Sequence, residues 1–283
     1  MTFEYVEPED LDEASAALGA DEDAVALAGG TAFTLLLRQG LIRPGRVVGL
    51  RRLAELRGIS AHKGGLRIGA LATHREIEMS PHVRALQPAL AAAFAAIATI
   101  RIRNQATIGG NLAHADPSQD PPPILVALGA TIEIAGPAGA RRSVPVESFF
   151  IDYLSTVLSP GELILGVTVP PAAPKDRAVY HKFLPRSADD YATVSVAASV
   201  RLEADGRIAG CRIALGGAGP TPVRARRVEA AVIGRVPTAE LIRDAADLVR
   251  DEIDPIDDAR GSVRYKREMA AVWVRRALTE LVA

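Results

Sequence analysis

The order of apolar and polar residues at the start of the chain predicts a small β-α-β unit. Apolar runs over residues 24–28 and 46–50 have the length of short strands. Between them, Gly29-Gly30-Thr31 opens a helical run over residues 32–38. We therefore predict a strand, a glycine turn, a helix and a second strand within residues 1–57.

From residue 58 the pattern changes to hairpin strands and an apolar helix. Gly64-Gly65 separates two strand-like runs, which is typical of a hairpin. Beyond Ser80-Pro81, apolar residues recur at helical spacing and predict one buried helix. They are Val83, Leu86, Leu90, Phe94 and Ile97. Strands follow over 131–135 and 161–169, and the proline-rich residues 170–174 form a linker.

The last third of the chain predicts an antiparallel hairpin followed by two helices. An alternating run over 194–200 turns at Asp205-Gly206 and returns over 208–215. Thr238 and Ser262 are typical helix N-caps. The helix after Ser262 has an apolar face formed by Ala270, Val274, Leu278 and Leu281. Strands followed by helices are typical of an α+β fold.

Composition and charge exclude several classes of protein. The chain has 283 residues, of which 48% are hydrophobic and 24% charged, so it can form packed cores. Its 33 basic and 34 acidic side chains argue against a nucleic acid or a membrane surface as the main partner. The longest apolar run, residues 89–98, has about half of the ~20 residues that span a bilayer. The acidic first residues do not resemble a signal peptide, so we expect a cytoplasmic protein.

A single cysteine, Cys211, limits the redox chemistry that this chain can carry by itself. One thiol cannot form an intramolecular disulfide, a cysteine-ligated zinc site or an iron-sulfur cluster. The position of Cys211 in a predicted strand indicates a buried side chain that packs as a small apolar residue. His74 and His114 have no second histidine or cysteine at ligand spacing, so we interpret them as hydrogen-bonded structural residues rather than metal ligands.

Two glycine-containing turns are candidates for binding an anion. One is Gly29-Gly30-Thr31, and the other is Thr107-Ile108-Gly109-Gly110-Asn111. Adjacent glycines let backbone N–H groups approach a phosphate, and a helix N-terminus adds favourable partial charge. Neither turn matches the Rossmann or the P-loop fingerprint. Taken alone, a Gly-Gly turn at a strand end is more often only a turn.

Together with their surroundings, the turns carry a family resemblance. Residues 100–120, IRIRNQATIGGNLAHADPSQD, closely resemble the signature of the FAD-binding medium subunits of molybdenum hydroxylases. That family includes carbon monoxide dehydrogenase medium subunits and the flavin domain of xanthine dehydrogenases. Residues 28–31, 181–186 with 189–191, and 216–225 match further segments of the family in the same order. The resemblance therefore covers nearly the whole chain.

The resemblance implies an α+β fold in three parts. Residues 1–57 and 58–174 would be the two subdomains of an FAD-binding fold of the PCMH type, with the cofactor in the cleft between them. Residues 175–283 would form a C-terminal α+β domain with a three-stranded antiparallel sheet and helices. This last domain would cover the flavin end of the cofactor.

The resemblance also implies which residues bind the FAD phosphates. Residues 28–33 would wrap the pyrophosphate with their amides, and Thr31 would add a hydroxyl donor. Residues within 107–111 would hold the phosphates and the ribityl chain from the other side. These positions are Ala28, Gly29, Gly30, Thr31, Ala32, Phe33, Thr107, Gly109, Gly110 and Asn111.

Four further positions would contact the flavin end of FAD. Asp120 would accept hydrogen bonds from the cofactor, while Asp116 forms a turn. Ile164 would meet the flavin through its main chain, and the Lys182 ammonium would lie near the polar edge of the ring. Tyr191 would pack beside the isoalloxazine. The family assigns no catalytic acid or base and no metal ligand to this chain.

Some of these positions have a second interpretation. Lys182 and Arg186 could instead form surface ion pairs with Asp189 and Asp190. Thr31 stands where carbon monoxide dehydrogenases often have His or Gln, which favours an aldehyde or a heterocycle as the substrate of the complex.

The implied function is electron transfer within a larger enzyme. In the family, a large molybdopterin-binding subunit oxidises the substrate, and [2Fe-2S] clusters on a small subunit pass electrons to FAD. The chain would be the oxidoreductase subunit that delivers electrons to NAD or another carrier, in a dimer of heterotrimers. The alternative is a stand-alone FAD oxidase or reductase, which the lack of an evident catalytic cluster in 179–281 disfavours. Intact glycine turns oppose a scaffold that has lost FAD.

Overall fold

Three main β-sheets follow one another along the chain in the computed structural model, which describes residues 3–185 and 190–283. Within the described residues, the first sheet has three parallel strands, the second has five antiparallel strands and the third has four antiparallel strands. Helices and strands are mixed in the way that an α+β fold predicts.

The first sheet is the predicted β-α-β unit with one additional strand at its edge. Its elements are β1 (Glu4–Val6), α1 (Leu11–Gly19), β2 (Ala24–Leu27), α2 (Thr31–Arg38) and β3 (Arg46–Gly49). β3 lies in the centre and pairs in parallel with both neighbours, so Val47 lies beside Val25 and Tyr5. α1 begins after Asp10, whose Oδ1 accepts a hydrogen bond from the Glu13 amide at 2.9 Å.

The second sheet is antiparallel and packs against short helices. Its region contains β4 (Ile59–His62), β5 (Gly65–Gly69), α3 (His74–Met79), α4 (Pro81–Leu86), α5 (Pro88–Ala95), α6 (Ile100–Arg103), α7 (Ile108–His114), α8 (Pro121–Ala127), β6 (Thr131–Ala135), β7 (Arg141–Pro145), β8 (Phe150–Asp152), β9 (Ser155–Thr156) and β10 (Leu163–Val169). The strand order is β4-β5-β10-β6-β7, and β8 pairs with β9 in a separate ribbon. Val167 on the central strand lies between Ile68 and Ile132, and all three are fully buried.

The apolar helix predicted beyond Ser80-Pro81 consists of two helices. α4 ends at Leu86 and α5 begins at Pro88, because a proline has no N–H to donate and its ring clashes with the preceding turn. The prediction of one continuous helix is therefore wrong. Its apolar face is correct, since all five of the predicted residues are buried or partly buried.

The second glycine segment is the first turn of a helix rather than a loop. α7 begins at Ile108 with Thr107 as its N-cap, so Gly109 and Gly110 occupy helical positions. A Cβ atom on Gly109 would lie 2.7 Å from the Cβ of Ala70. Glycine is required there because the helix packs directly on the chain that follows β5.

The third sheet has the three long strands that the prediction requires and a two-residue fourth strand. Its region contains β11 (Asp176–Phe183), β12 (Val194–Leu202), β13 (Ile208–Gly216), β14 (Val223–Arg224), α9 (Arg226–Val232), α10 (Ala239–Asp247) and α11 (Val263–Val282). The strands lie in chain order. Thr238 and Ser262 cap α10 and α11 as predicted. The apolar face predicted for the helix after Ser262 is buried in the core of this region.

Buried contacts hold the three regions together. Leu163 and Leu165 of β10 share a core with Ala14 of α1. α8 packs on β12 and β13, and the Ser199 hydroxyl donates a hydrogen bond to the Ala127 carbonyl at 2.9 Å. These contacts bring β11 beside the second sheet's helices. None of the described helices combines the length and the apolar character of a membrane span.

Candidate functional site

A cavity of about 930 Å³ is lined by residues from all three regions. Every position that the sequence predicts as an FAD contact lies on its wall. These are Ala28, Gly29, Gly30, Thr31, Ala32, Phe33, Thr107, Gly109, Gly110, Asn111, Asp120, Ile164, Lys182 and Tyr191. The fold therefore brings together residues that lie more than 150 positions apart in the sequence.

The first wall of the cavity is the turn over residues 28–33, which joins β2 to α2. Gly30 is the N-cap of α2 with φ +72°, a conformation that favours glycine, and no side chain caps the helix. A Cβ atom on Gly29 would overlap the carbonyl oxygen of Gln105. Within the described residues, the N–H groups of Ala32 and Phe33 have no acceptor. The first wall therefore offers free amides to a ligand.

The second wall is the segment over residues 107–111, and its amides already have acceptors within the protein. The Gly109 N–H donates to the Ala70 carbonyl at 2.9 Å. The Gly110 N–H donates to Thr107 Oγ1 at 3.2 Å, and the Asn111 N–H donates to the Thr107 carbonyl at 2.9 Å. The second wall can therefore contact a ligand through its side chains and through the backbone at Gly110, which is exposed and has no side chain to keep a ligand at a distance.

Two side-chain amides on the cavity wall have an oxygen without a hydrogen-bond donor among the described residues. They are Asn111 Oδ1 and Gln119 Oε1, both buried. An unsatisfied buried polar group costs about 1–3 kcal/mol, so such atoms are uncommon without a ligand or water. The ribityl and ribose hydroxyls of FAD are donors of the required kind. Sequence reasoning did not identify Gln119, which carries no motif signal of its own.

Apolar side chains line much of the remaining cavity. Leu27, Leu36, Ile42 and Leu50 come from the first region, and Ile97, Ile102, Leu154 and Leu158 come from the second. Planar ring systems bind against surfaces of this kind. In the sequence, these lining residues cannot be distinguished from ordinary residues of a hydrophobic core.

Asp120, Lys182 and Tyr180 form a buried polar group at the cavity wall. The Tyr180 hydroxyl donates to Asp120 Oδ1 at 2.5 Å, and Lys182 Nζ donates to Asp120 Oδ2 at 2.9 Å. The Lys182 and Asp120 side chains are only 5% and 3% exposed. Burial raises the pKa of Asp120, while the charge of Lys182 and the hydroxyl of Tyr180 act in the opposite direction. Sequence reasoning missed Tyr180.

Tyr191 lines the cavity and is held by an arginine from the loop before α11. The Arg260 guanidinium lies 5.3 Å from the centroid of the Tyr191 ring, within the range of a cation–π contact. Burial raises the pKa of Tyr191 to about 12, and the charge of Asp116 contributes to the rise. The ring is therefore neutral at physiological pH and can present an apolar face to a ligand.

Ile164 lies on β10 next to a β-bulge. The register of β10 with β6 shifts between Ile164 and Gly166. A bulge interrupts the regular hydrogen-bond ladder and redirects the local backbone. This irregularity is consistent with the predicted main-chain contact of Ile164 with a ligand.

Two family models together account for nearly the whole chain. The model described as the FAD binding domain in molybdopterin dehydrogenase matches residues 1–172. The chain belongs to the molybdopterin dehydrogenase flavoprotein family. A model described as the CO dehydrogenase flavoprotein C-terminal domain matches residues 179–281. The resemblance seen in the sequence, the α+β fold and FAD as the cofactor are thereby confirmed.

Individual members of the molybdopterin dehydrogenase flavoprotein family match the chain end to end. The carbon monoxide dehydrogenase medium chain of Hydrogenophaga pseudoflava is 35% identical over 277 residues, which cover 98% of this chain and 96% of that protein. The glyceraldehyde dehydrogenase medium chain of Sulfolobus acidocaldarius is 35% identical and covers 99% and 98%. The solved structure of quinoline 2-oxidoreductase from Pseudomonas putida 86 matches with a TM-score of 0.93 at 33% identity, covering 100% and 97%. This flavoprotein chain is an oxidoreductase subunit.

His74 of this flavoprotein differs from the environment predicted for it. His74 is buried edge-on against Phe94, with ring centroids 5.2 Å apart, and burial lowers its pKa to about 4. The Thr107 backbone lies beside the ring, but neither ring nitrogen reaches hydrogen-bond geometry with a described residue. The prediction of a hydrogen-bonded His74 is therefore wrong. His114 is half-buried, and burial also lowers its pKa.

Among the described residues, the carboxylate paired with Lys182 is Asp120 rather than Asp190. Asp190 instead pairs with Arg260 at 3.4 Å. Arg186 and Asp189 lie outside the described residues. The surface ion-pair interpretation of Lys182 is therefore wrong.

Two minor predictions are confirmed in the flavoprotein structure. Asp116 forms a turn, because its Oδ1 accepts a hydrogen bond from the Ser118 amide at 2.8 Å. Cys211 is buried in β13, and burial raises the pKa of its thiol to about 12. Its thiol is therefore neutral and unreactive at physiological pH.

Proposed function

We propose that the chain binds FAD in the 930 Å³ cavity and relays electrons between partner subunits and an external acceptor. The observation that carries this proposal is the convergence of all predicted FAD positions, from three separate regions, on one cavity. The unpaired oxygens of Asn111 and Gln119 and the apolar lining fit a long ligand with hydroxyl donors and flat rings.

Each wall would hold a different part of the cofactor. The first wall would bind the pyrophosphate through the free amides at the start of α2, assisted by the Thr31 hydroxyl. The second wall would hold the ribityl chain from the other side, through the side chains of Thr107 and Asn111. Gln119 would accept a hydrogen bond from a hydroxyl group.

The third region would complete the site at the flavin ring. Lys182 would place a fixed positive charge near the polar edge of the ring, which favours negative charge on the bound cofactor. Tyr191 would cover the ring, and Ile164 would contact it through the main chain. When bound, FAD supplies the centre that accepts and donates electrons, and the protein supplies its position and its electrostatic environment.

The partners follow from the single cysteine and from the relatives. We propose a large molybdopterin-binding subunit and a small [2Fe-2S] subunit, because this chain has too few cysteines to bind a cluster. Relatives named as medium chains support such an assembly. We further propose a dimer of heterotrimers, with NAD or another carrier as acceptor. We propose an aldehyde or a heterocycle as the substrate class because of Thr31; the relatives include a glyceraldehyde and a quinoline enzyme beside a carbon monoxide dehydrogenase of similar identity.

We also propose that three units share the site, with boundaries at 57/58 and 174/175. The three main sheets lie on different sides of these boundaries. The first two units would form the cleft, and the third would close it at Lys182 and Tyr191.

Visible spectroscopy of the isolated chain tests cofactor binding. After incubation with FAD and removal of free cofactor, we expect flavin absorption bands at about one cofactor per chain. A chain that folds and retains no flavin would contradict the proposal.

Purification from the native host tests the relay. We expect molybdenum and iron to co-purify with the chain in a large assembly. A flavin-loaded chain recovered without either metal would instead support a stand-alone oxidase or reductase.

A further inference from the structure

Tyr180 contacts the flavin-site carboxylate from behind the cavity wall. Alternate residues of a strand point to the same face, so Tyr180 and Lys182 of β11 lie on one side of the third sheet. Both donate to Asp120, one to each carboxylate oxygen. Asp120 and Lys182 line the cavity, whereas Tyr180 is absent from its described lining.

The two hydrogen bonds fix the orientation of a buried carboxylate. A carboxylate held at one oxygen can still rotate, and a second donor removes that freedom. Without the Tyr180 hydroxyl, Asp120 Oδ1 would lose its donor in a position that is 3% exposed. Burial and the charge of Asp120 raise the pKa of Tyr180 well above its ordinary value, so the hydroxyl retains its proton and remains a donor.

The position of Asp120 in turn fixes the Lys182 ammonium. Lys182 Nζ donates to Asp120 Oδ2 at 2.9 Å and to the Ala96 carbonyl at 3.1 Å. An ammonium group has three hydrogens, so these two bonds leave one for a ligand. A shift of the carboxylate would therefore move both the charge and the remaining donor of Lys182.

We propose that Tyr180 is a positioning residue, which sets the place of Lys182 at the flavin site through the Asp120 carboxylate. This inference rests on the proposed binding of FAD in the cavity. Tyr180 would act on the cofactor without touching it, and its effect would depend entirely on Asp120.

The test compares Tyr180→Phe with the wild-type full chain. The substitution removes one hydroxyl and retains the ring, so the packing of β11 is preserved. We expect FAD affinity to fall about tenfold, the size typical of one lost hydrogen bond to a charged group. We also expect a more negative midpoint potential of the bound flavin, because the positive charge is less well placed. Tyr265→Phe, on α11, is the matched control and should change neither quantity.

A double-mutant cycle separates positioning from a general loss of stability. In an Asp120→Ala background, which has no acceptor for the Tyr180 hydroxyl, Tyr180→Phe should have no further effect on FAD affinity or potential beyond twofold. Two results would overturn the inference: unchanged affinity and potential in Tyr180→Phe, or the same loss with and without Asp120. Thermal midpoints without FAD identify any variant that fails to fold, and Tyr180→Leu, which is smaller and has no donor, then replaces Tyr180→Phe. Failure of the wild-type chain to bind FAD would instead refute the proposed function.

Discussion

The two glycine walls of the cavity look alike in sequence and differ in structure. Each places a Gly-Gly pair at the start of a helix. In the first wall, Gly30 caps α2 without a side chain and leaves amides free, and no residue of α2 is fully buried. In the second wall, Thr107 caps α7, the amides have protein acceptors, and Ile108, Gly109 and Leu112 are buried.

The difference shows that one sequence feature can serve two purposes. A helix N-terminus with free amides attracts an anion, so we expect the first wall to provide most of the phosphate binding. The second wall is fixed to the core through its buried residues. Glycine is needed there for close packing on Ala70 rather than for donors.

Acid should destabilise the fold through His74, which lies beside the second wall. His74 lies beside Thr107 with its pKa lowered to about 4, against an ordinary value near 6.5. Above pH 6.5 the ring is neutral in both states. As the pH falls from 6.5 to 4, the unfolded chain binds a proton that the folded chain does not, so the free energy of unfolding decreases by about 3 kcal/mol.

Urea unfolding at several pH values measures this loss. His74→Met should remove about 3 kcal/mol of the pH dependence, whereas His82→Gln, at an exposed position, should leave it unchanged. Identical pH profiles for His74→Met and the wild type would show that the fold does not sense acid through this residue.

Matched alanine substitutions should separate the walls by their effect on cofactor binding. Gly29→Ala places a methyl group against the Gln105 backbone and must displace the first wall. We expect about 100-fold weaker FAD binding, the upper end of the ~1–3 kcal/mol that overpacking costs. Gly110→Ala meets only Thr107 Oγ1 at 3.0 Å and Ala28 Cβ at 3.6 Å, so the second wall stays in place, but the added methyl group covers part of the surface that the ligand approaches. We expect binding to weaken about tenfold, less than for Gly29→Ala. Fluorescence titration measures both, and equal losses would remove the distinction between the walls.

Substitution of the two threonines should have the opposite order of effects, with the larger loss of stability at the second wall. Thr107→Val removes the N-cap of α7 and should lower the free energy of unfolding by about 1 kcal/mol. Thr31→Val removes no cap, so the FAD-free chain should change by less than about 0.5 kcal/mol. Chemical denaturation without FAD is the measurement. A larger loss for Thr31→Val would mean that the first wall also stabilises the fold.

The smallest effect is expected at the end of the cavity formed by Tyr191. Arg260→Met removes a cation–π contact worth about 0.5–1 kcal/mol at a partly exposed site, together with the surface ion pair to Asp190 at 3.4 Å. Tyr191 should then cover the flavin less completely, and the fluorescence of bound FAD should rise. Arg276→Met removes a similar contact with Trp273, away from the cavity, and should leave the fluorescence unchanged. No difference between the two variants would argue that Arg260 does not hold Tyr191.

Local signals predicted much of the fold. Residues 131–135 are a strand with the predicted bounds, and Thr238 and Ser262 are the N-caps of α10 and α11, as predicted. The break before Pro88 was missed because the apolar spacing continues across it. β11 was not predicted from the sequence, because charged residues interrupt its alternation of apolar and polar positions. The strand is identified by its pairing with β12 along its whole length.

The candidate site was predictable where a motif existed and not elsewhere. The glycine walls, Asp120 and Lys182 belong to recognisable segments. Tyr180, Gln119 and Arg260 carry no motif, and each gains its role from residues brought near by folding. Tyr180 lies 60 positions from Asp120, and no periodicity links them.

The pairing of Asp120 with β11 has a consequence for biosynthesis. The first two sheets are complete by residue 169, before Tyr180 and Lys182 have been synthesised. A nascent chain at that stage contains the carboxylate without either of its donors. Completion of the cavity wall at Asp120 must therefore wait for the last third of the polypeptide, and a prematurely terminated product that ends before β11 leaves the Asp120 carboxylate without these two donors.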